Sequence, residues 1–148
     1  MTATKYNSKK VELDGYTFDS QIEARYYQRL KWLLEHKEIK SFSLQPRYIL
    51  LDKFKKNGKT YRKMEYIADF EVHHLDGSIE VVDVKGVETE AFKIKRKLFE
   101  HKYPYKLSLV TYVKKYGGWI ELDELKNAGR KRKNKTNDVK GWENVSSN

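Results

Sequence analysis

The stretch 66–86, YIADFEVHHLDGSIEVVDVKG, constrains the fold of this chain more than any other. Apolar and polar residues alternate on both sides of an Asp-Gly turn signal at 76–77, which predicts two antiparallel strands joined by a short turn. Asp69, Asp83 and Lys85 stand in these strands, where a sheet usually carries aliphatic side chains. Charge at these three positions needs a chemical explanation.

The flanking patterns predict a mixed α/β fold. An Asp-Gly pair at 14–15 predicts a small N-terminal hairpin, and Asn-Gly at 57–58 predicts a second hairpin turn. Helical periodicity covers two segments, and the second has Thr89 as a plausible N-cap and its apolar residues along one side. The predicted helices are Gln21–Lys37 and Glu90–Lys102, with one or two more turns at Glu121–Asn127, and the predicted strands are Tyr48–Phe54, residues 66–72, Ser78–Val84 and Lys106–Val113. The core order is αβββαβ, a mixed central sheet flanked by helices. In the second helix, the predicted core-facing residues are Ala91, Ile94, Leu98 and His101.

Length and composition favour one domain with a basic tail. The 148 residues are 39% hydrophobic, enough for a single domain with its own core, which we expect over residues 1–128. Residues 129–148 are mostly Lys, Arg, Asn, Gly and Ser, a composition typical of a flexible segment. With no long apolar run and no apolar signal-peptide core, we expect a soluble, cytoplasmic protein with no membrane partner.

The charge balance favours a polyanionic partner. Lys and Arg number 31 against 21 Asp and Glu, so the formal net charge is +10. Such a surface suits nucleic acid or an anionic membrane surface, although a solvated surface with a basic tail is the alternative. The chain has no cysteine, which excludes disulfide scaffolds and cysteine-based zinc sites.

Glu23 lies on the apolar stripe of the first predicted helix and has two interpretations. It shares that stripe with Tyr27, Leu30 and Leu34, so its carboxylate should point toward the core and need a cation. Ser20 three residues earlier also completes a capping box, in which Glu23 would reach back to the helix start.

Asp69, Asp83 and Lys85 predict a metal site at one end of the two central strands. Asp83 and Lys85 are two residues apart and project from the same face, and the turn brings Asp69 beside them. Two carboxylates without histidine or cysteine form an all-oxygen site that suits Mg²⁺ or Mn²⁺, and Lys85 could activate a water for phosphodiester hydrolysis. The alternative is a solvated charge pair on an edge strand with an ordinary exposed aspartate nearby.

Three stretches, SQIEARYYQRL, YIADFEV and VVDVKGVETEAFKIKRKLFEHKYP, carry a resemblance to a known family. Residues 20–113 resemble the PD-(D/E)xK nuclease superfamily, and most of all its small phage-encoded members related to Holliday-junction resolvases. The resemblance implies a restriction-endonuclease-like core of order αβββαβ. One departure is Ala68, which stands where the motif has proline but would not ligate metal.

The resemblance also implies roles for individual residues. Glu23 corresponds to the acid of the first helix, Asp69 and Asp83 to the two motif acids, and Lys85 to the motif lysine. The backbone carbonyl of Val84 would be a further ligand of Mg²⁺, for which Mn²⁺ could substitute, and Glu23 would reach the metal through water.

Basic residues in three places are candidate DNA contacts. They lie on the first helix, on the second helix and in the tail: Arg25, Arg29, Lys93, Lys95, Arg96, Lys97, Arg130, Lys131, Arg132 and Lys133. The alternative for each is a solvated surface. Gln45, just before Pro46, could enter the site from a neighbouring loop.

These observations predict a Mg²⁺-dependent nuclease, and the resemblance implies a DNA endonuclease of phage or mobile-element origin that cuts branched or structured DNA. Two coordinated cuts would require a homodimer, with DNA as the partner and the bacterial cytoplasm as the location if a phage encodes it. One alternative is a non-specific or nicking DNase of a phage, transposition or restriction system. The alternative from another class is a non-catalytic basic DNA-binding module, since fold does not fix function.

Overall fold

The computed structural model describes residues 9–129. Two helices, α1 and α2, cover Gln21–Glu35 and Glu90–Lys102, a 3₁₀ turn covers Lys114–Tyr116, and residues 122–129 are helical. The strands are β1 (Val11–Leu13), β2 (Tyr16–Phe18), β3 (Ile39–Leu44), β4 (Arg47–Leu51), β5 (Phe54–Lys56), β6 (Lys59–Tyr61), β7 (Met64–Ile67), β8 (Phe70–His74), β9 (Ile79–Val84), β10 (Lys106–Val113) and β11 (Gly118–Glu121).

The largest sheet is mixed and has five strands, in the order β11-β10-β9-β8-β3. Strands β8 and β9 are antiparallel with Phe70 opposite Val82, as the turn at 76–77 predicts. The α/β class and the mixed central sheet predicted from the sequence are therefore confirmed.

Six strands, β3 to β8, form one long hairpin whose turn lies at residues 57–58. The pairs are nested: Lys56 lies opposite Lys59, Phe54 opposite Tyr61, Leu51 opposite Met64, Arg47 opposite Ile67 and Leu44 opposite Phe70. Backbone hydrogen bonds continue the pairing between the ladders, because Gln45 N–H donates to Asp69 and Ala68 N–H donates to Pro46. The ladder β3–β8 belongs to the central sheet, and β4–β7 and β5–β6 extend it as an arm.

This arrangement corrects two strand predictions. The strand predicted at Tyr48–Phe54 is present as β4, Arg47–Leu51, but it belongs to the arm, and the first strand of the central sheet is β3, before Pro46. Gln45 adopts a left-handed backbone with φ of 49°, which ends β3 before β4 begins. The predicted strand over residues 66–72 is likewise two strands, interrupted at residues 68–69, although the buried face alternates as predicted.

Both helices begin where their caps predict. Ser20 Oγ accepts from Glu23 N–H at 3.3 Å, and Thr89 Oγ1 accepts from Phe92 N–H at 3.1 Å. Helix α1 ends at Glu35, two residues earlier than predicted, because Lys37 turns into the left-handed region with φ of 57°.

The predicted core face of α2 is wrong. Phe92 and Phe99 are buried, whereas Ile94 is 58% exposed and Ala91 and His101 are exposed as well. The helix is rotated because two phenylalanine rings bury more apolar area than the aliphatic stripe does. Their rings contact Tyr66 of β7, with centroids 5.8 and 5.7 Å away.

Residues 9–108 form one compact unit and residues 109–129 belong to another. In the first, Tyr26 of α1 packs on Phe70 of β8, while α2 packs on Tyr48 and Tyr66 of the arm. In the second, the later part of β10 pairs with β11, a strand that the sequence did not predict. No described helix is both long enough and apolar enough to cross a membrane.

Candidate active site

Asp69 and Asp83 meet at one end of the β8–β9 pair. Asp69 occupies the break between β7 and β8, and Asp83 is the next-to-last residue of β9. Continuing the register one step beyond Phe70 and Val82 sets the two aspartates opposite each other, and their side chains are in contact. Asp69 Oδ2 accepts a 2.8 Å hydrogen bond from Val84 N–H, which fixes its carboxylate beside β9.

The proximity of these carboxylates changes the protonation of Asp69. Burial, the negative charge of Asp83 and the more distant charge of Glu23 raise the pKa of Asp69 to about 9, while the Val84 N–H opposes the shift. Asp83 itself is 4% exposed. Two carboxylates at such a short separation share a proton or require a cation.

Lys85 supplies one cation to this pair. Its Nζ lies 3.4 Å from Asp83 Oδ2, and the side chain is 26% exposed. The same ammonium lies 4.3 Å from the centroid of the Phe92 ring, which holds it by a cation–π contact. Lys85 therefore stands at the edge of the site, within reach of both Asp83 and solvent.

Tyr66 contributes to the site without having been predicted from the sequence. Its hydroxyl donates a 2.6 Å hydrogen bond to Asp83 Oδ2. Burial and the charge of Asp83 raise the pKa of Tyr66 far above its usual range, so the hydroxyl remains a donor. The signal was present, because a tyrosine on the buried face of a strand needs an acceptor for its hydroxyl.

Glu23 lies at the start of α1 and lines the same cavity as Asp69. It interacts with the Ser20 hydroxyl and the Asp19 backbone, as a capping residue does. Burial and the charges of Asp19 and Asp83 raise the pKa of Glu23, so its carboxylate is electrostatically linked to the aspartate pair. The structure therefore places Glu23 at the site as well as at the start of α1.

A cavity of about 350 Å³ opens beside Glu23 and Asp69. The N-terminal hairpin, β1–β2, contributes part of its wall through Tyr16 and Phe18, which the sequence did not predict. Gln45 also lines it, as the sequence suggested, in a left-handed conformation that is uncommon for a residue other than glycine. Glu23 and Asp69 thus face a space large enough for water and part of a substrate, whereas Asp83 and Lys85 are not among its lining residues.

The donor set fits a hard divalent cation in part. Asp69 and Asp83 offer adjacent carboxylate oxygens, the ligand type that Mg²⁺ prefers. Among residues 9–129, no three His, Cys, Asp or Glu side chains are grouped closely enough to hold a metal ion. Direct ligation would therefore rest on the two aspartates and the Val84 carbonyl, with Glu23 acting through water; the role of that carbonyl stays a prediction.

The predicted DNA contacts differ in how available they are. Arg25 and Arg29 of α1 and Lys97 of α2 are exposed, and Lys95 is half-buried. On α2, Lys93 pairs with Glu90 at 3.1 Å, and Arg96 Nη1 lies 3.4 Å from the buried Glu88 carboxylate. The predicted tail contacts Arg130, Lys131, Arg132 and Lys133 lie outside the described residues.

Comparison with known proteins places the chain in a family. Residues 3–118 match DUF1064, a family described as proteins of unknown function, and the chain belongs to it. No curated protein and no solved structure matches the chain.

Proposed function

We propose that this protein is a Mg²⁺-dependent DNA endonuclease of the PD-(D/E)xK type that acts on branched or otherwise structured DNA. The observation that carries the proposal is the contact between the Asp69 and Asp83 carboxylates with the Lys85 ammonium 3.4 Å from Asp83. Paired acids beside a lysine suit hydrolysis of a phosphodiester, whose anionic transition state needs positive charge close by.

Each residue has a distinct task in the proposed site. Asp69 and Asp83 would hold the metal together with the Val84 carbonyl, and the Val84 N–H keeps Asp69 in place. A bound Mg²⁺ would polarise the phosphoryl oxygen and neutralise charge that develops during hydrolysis. Lys85 would orient the attacking water and help to deprotonate it.

Tyr66 and Glu23 would support these groups. The Tyr66 hydroxyl donates to one oxygen of Asp83, and the other oxygen would be available to the metal. Glu23 would hold a water at the cavity wall that it shares with Asp69. The net charge of +10 supports a polyanionic substrate. Two coordinated cuts in a branched DNA would require a homodimer. The proposed location is the cytoplasm.

A cleavage assay tests the proposal directly. Labelled linear, flap and four-way-junction DNA should be incubated with the protein in Mg²⁺, Mn²⁺ or EDTA. We expect metal-dependent cutting that is fastest on a branched substrate and is lost in Asp83→Ala. Glu80→Gln, which changes a carboxylate of the same strand outside the site, should still cut.

Two results would refute the catalytic proposal. One is the absence of cutting on every substrate with either metal, which would favour a DNA-binding module if the protein still binds DNA. The other is full activity of Asp83→Ala. Cutting of linear duplex as fast as of junctions would keep the nuclease and replace the branched substrate with a non-specific one.

A further inference from the structure

The tip of the long hairpin concentrates much of the positive charge of this chain. Residues 52–63, DKFKKNGKTYRK, contain six cations and one anion, a net charge of +5 in a chain of +10. Every residue of this tip is exposed. The tip was predicted as a hairpin turn, and its lysines were not among the predicted DNA contacts.

Two lysines of the tip are neighbours across the strand pair, and only Lys63 of the tip lysines has an acidic partner among residues 9–129. Lys56 and Lys59 are directly opposite across β5–β6, where like charges destabilise a strand pair. Lys63 pairs with Glu65 at 2.8 Å. Among residues 9–129, no acid forms an ion pair with the remaining cations of the tip, Lys53, Lys55, Lys56, Lys59 and Arg62.

The tip has the backbone of a tight two-residue turn and a pair of stacked rings across its strands. Asn57 and Gly58 have φ of 51° and 76°, the two positive values that a tight two-residue turn requires. The Phe54 and Tyr61 rings stack across the strands with centroids 4.7 Å apart and planes 8° apart. Lys56 and Lys59 share the face of this ring pair, and Lys59 Nζ lies 5.1 Å from the Tyr61 ring centroid. A ligand therefore meets two lysines on one side of a preformed backbone, which lowers the entropy cost of ordering that backbone on binding.

We propose that the tip, residues 52–63, binds the sugar-phosphate backbone of DNA. Phosphates would supply the negative charge that Lys56 and Lys59 lack, and release of condensed counterions would drive binding. The base of the same arm carries Tyr66, which holds Asp83, and the chain reaches Asp69 two residues after β7 ends. Backbone contacts at the tip would therefore position DNA for the site at the base, an assignment of role that rests on the proposed nuclease function.

Charge selects nucleic acid over a second copy of this chain. A dimer formed through two tips would bring two segments of charge +5 together, which electrostatic repulsion opposes. Phe54 and Tyr61 cover each other by stacking, so their apolar faces are partly used within the tip. A DNA backbone offers the opposite charge at regular spacing and needs no apolar pocket.

Salt-dependent binding tests the inference separately from catalysis. Fluorescein-labelled duplex and four-way-junction DNA should be titrated with the full chain in EDTA, by anisotropy, over a series of salt concentrations. In the double variant Lys56→Gln/Lys59→Gln, we expect the slope of log K against log salt to fall by about 1.8 and the affinity at 0.1 M salt to drop roughly tenfold for each lost phosphate contact.

The matched control is Lys114→Gln/Lys115→Gln, an adjacent pair of exposed lysines that lies outside the tip and the site. It makes the same change in net charge and should alter the slope much less. A thermal melt checks folding: removing the Lys56–Lys59 repulsion should leave the Tm of the tip variant unchanged or higher.

The outcomes separate the two proposals. If the salt slope falls in the tip variant but not in the control while no metal supports cleavage, the tip binds DNA and the nuclease proposal fails. If cleavage depends on Asp83 but the tip variant binds like wild type, or no worse than the control, the tip inference is wrong and the nuclease stands. Lysine-dependent binding to phosphatidylserine vesicles without binding to DNA, or a dimer lost in the tip variant, would also overturn it.

Discussion

Two sets of acids on or next to strands β8 and β9 differ in what surrounds them. Asp69 and Asp83 meet at one end of β8 and β9, where burial and mutual repulsion raise the pKa of Asp69 to about 9. Glu71 and Glu80, also on β8 and β9, are each satisfied by other partners. Glu71 accepts from the Tyr48 hydroxyl and contacts His73 Nε2 at 2.8 Å. Glu80 accepts from Ser108 Oγ and contacts His74 Nε2 at 2.8 Å.

Register explains the difference. Val72 lies opposite Glu80 and Glu71 lies opposite Val81, so the two glutamates project from opposite faces of the sheet. The same register continued to Asp69 and Asp83 puts both aspartates on one face. Whether two acids on these strands repel each other or bind separate partners therefore depends on which face they share and which donors surround them. Residue type alone does not distinguish the two cases.

The largest expected effect is on the rate of DNA cleavage, which should depend on Asp83 and not on Glu80. Asp83→Asn should lower the cleavage rate by about 10³-fold, because it removes half of the paired carboxylates that would hold the metal. Glu80→Gln should retain the wild-type rate within a factor of about two. Single-turnover cleavage of a labelled junction measures both, and equal losses in the two variants would mean that the pairs do not differ in function.

The second effect is on stability and has the opposite sign from that of most core substitutions. Because the folded state raises the pKa of Asp69, the fold binds its proton more tightly than the unfolded chain does. The contribution of protonated Asp69 to the free energy of unfolding is therefore fully present below about pH 4 and is lost as the pH rises toward about 9. Asp69→Asn should raise the free energy of unfolding at pH 7 by about 2 kcal/mol, because the amide carries no charge.

Urea unfolding in EDTA between pH 5 and 9 measures this gain. The difference between variant and wild type should widen with pH, and added Mg²⁺ should raise the Tm of wild type while leaving that of Asp69→Asn nearly unchanged. A constant difference at all pH values would show that Asp69 is not strained by its neighbour.

Two tyrosines offer a matched hydroxyl deletion. Tyr66→Phe removes the donor to Asp83, and Tyr48→Phe removes the donor to Glu71. Both should cost about 1 kcal/mol of stability, since each breaks one hydrogen bond to a carboxylate. Cleavage should fall about tenfold in Tyr66→Phe and remain unchanged in Tyr48→Phe. A similar loss of cleavage in both would indicate a general packing effect of the aromatic cluster.

The smallest expected effect is the change in stability on substituting Glu80, one of the two glutamates whose carboxylates have hydrogen-bond partners. Glu80→Gln should destabilise the fold by about 1 kcal/mol, because the buried Ser108 hydroxyl loses a charged acceptor and His74 loses its carboxylate partner. Thermal unfolding at pH 7 measures the change. If Glu80→Gln instead raised the free energy of unfolding, Glu80 would be destabilising in the fold, as Asp69 is expected to be, and the two acids would not differ in this respect.

Local signals predicted much of the fold. Helix α2 begins after Thr89 and ends before Pro104, and β10 has the predicted bounds. The turn at 57–58 was equally clear, since Asn-Gly supplies two positive φ values. Caps, prolines and turn residues act over a few neighbours and can therefore be recognised without knowing the tertiary contacts.

Features set by distant partners were not predicted. Strand β3, IKSFSL, has serines on its outer side, and its place in the central sheet depends on pairing with β8. The rotation of α2 follows from the rings that receive Phe92 and Phe99. In the site, the register predicts the meeting of Asp69 and Asp83, whereas the reach of Glu23 depends on how Tyr26 and its neighbours seat α1 against the sheet.

The nesting of strands β3 to β8 has a consequence for the order of folding. Leu44 and Phe70 are 26 positions apart, but the pairs between them can form from the tip inward, starting with Lys56 and Lys59. Each new pair then closes a loop of only a few residues, so the entropy of one long closure is divided into small steps. If pairing starts at Asn57 and Gly58, β3 would pair with β8 only after the arm has formed. Asp69 would then reach β9 late in folding.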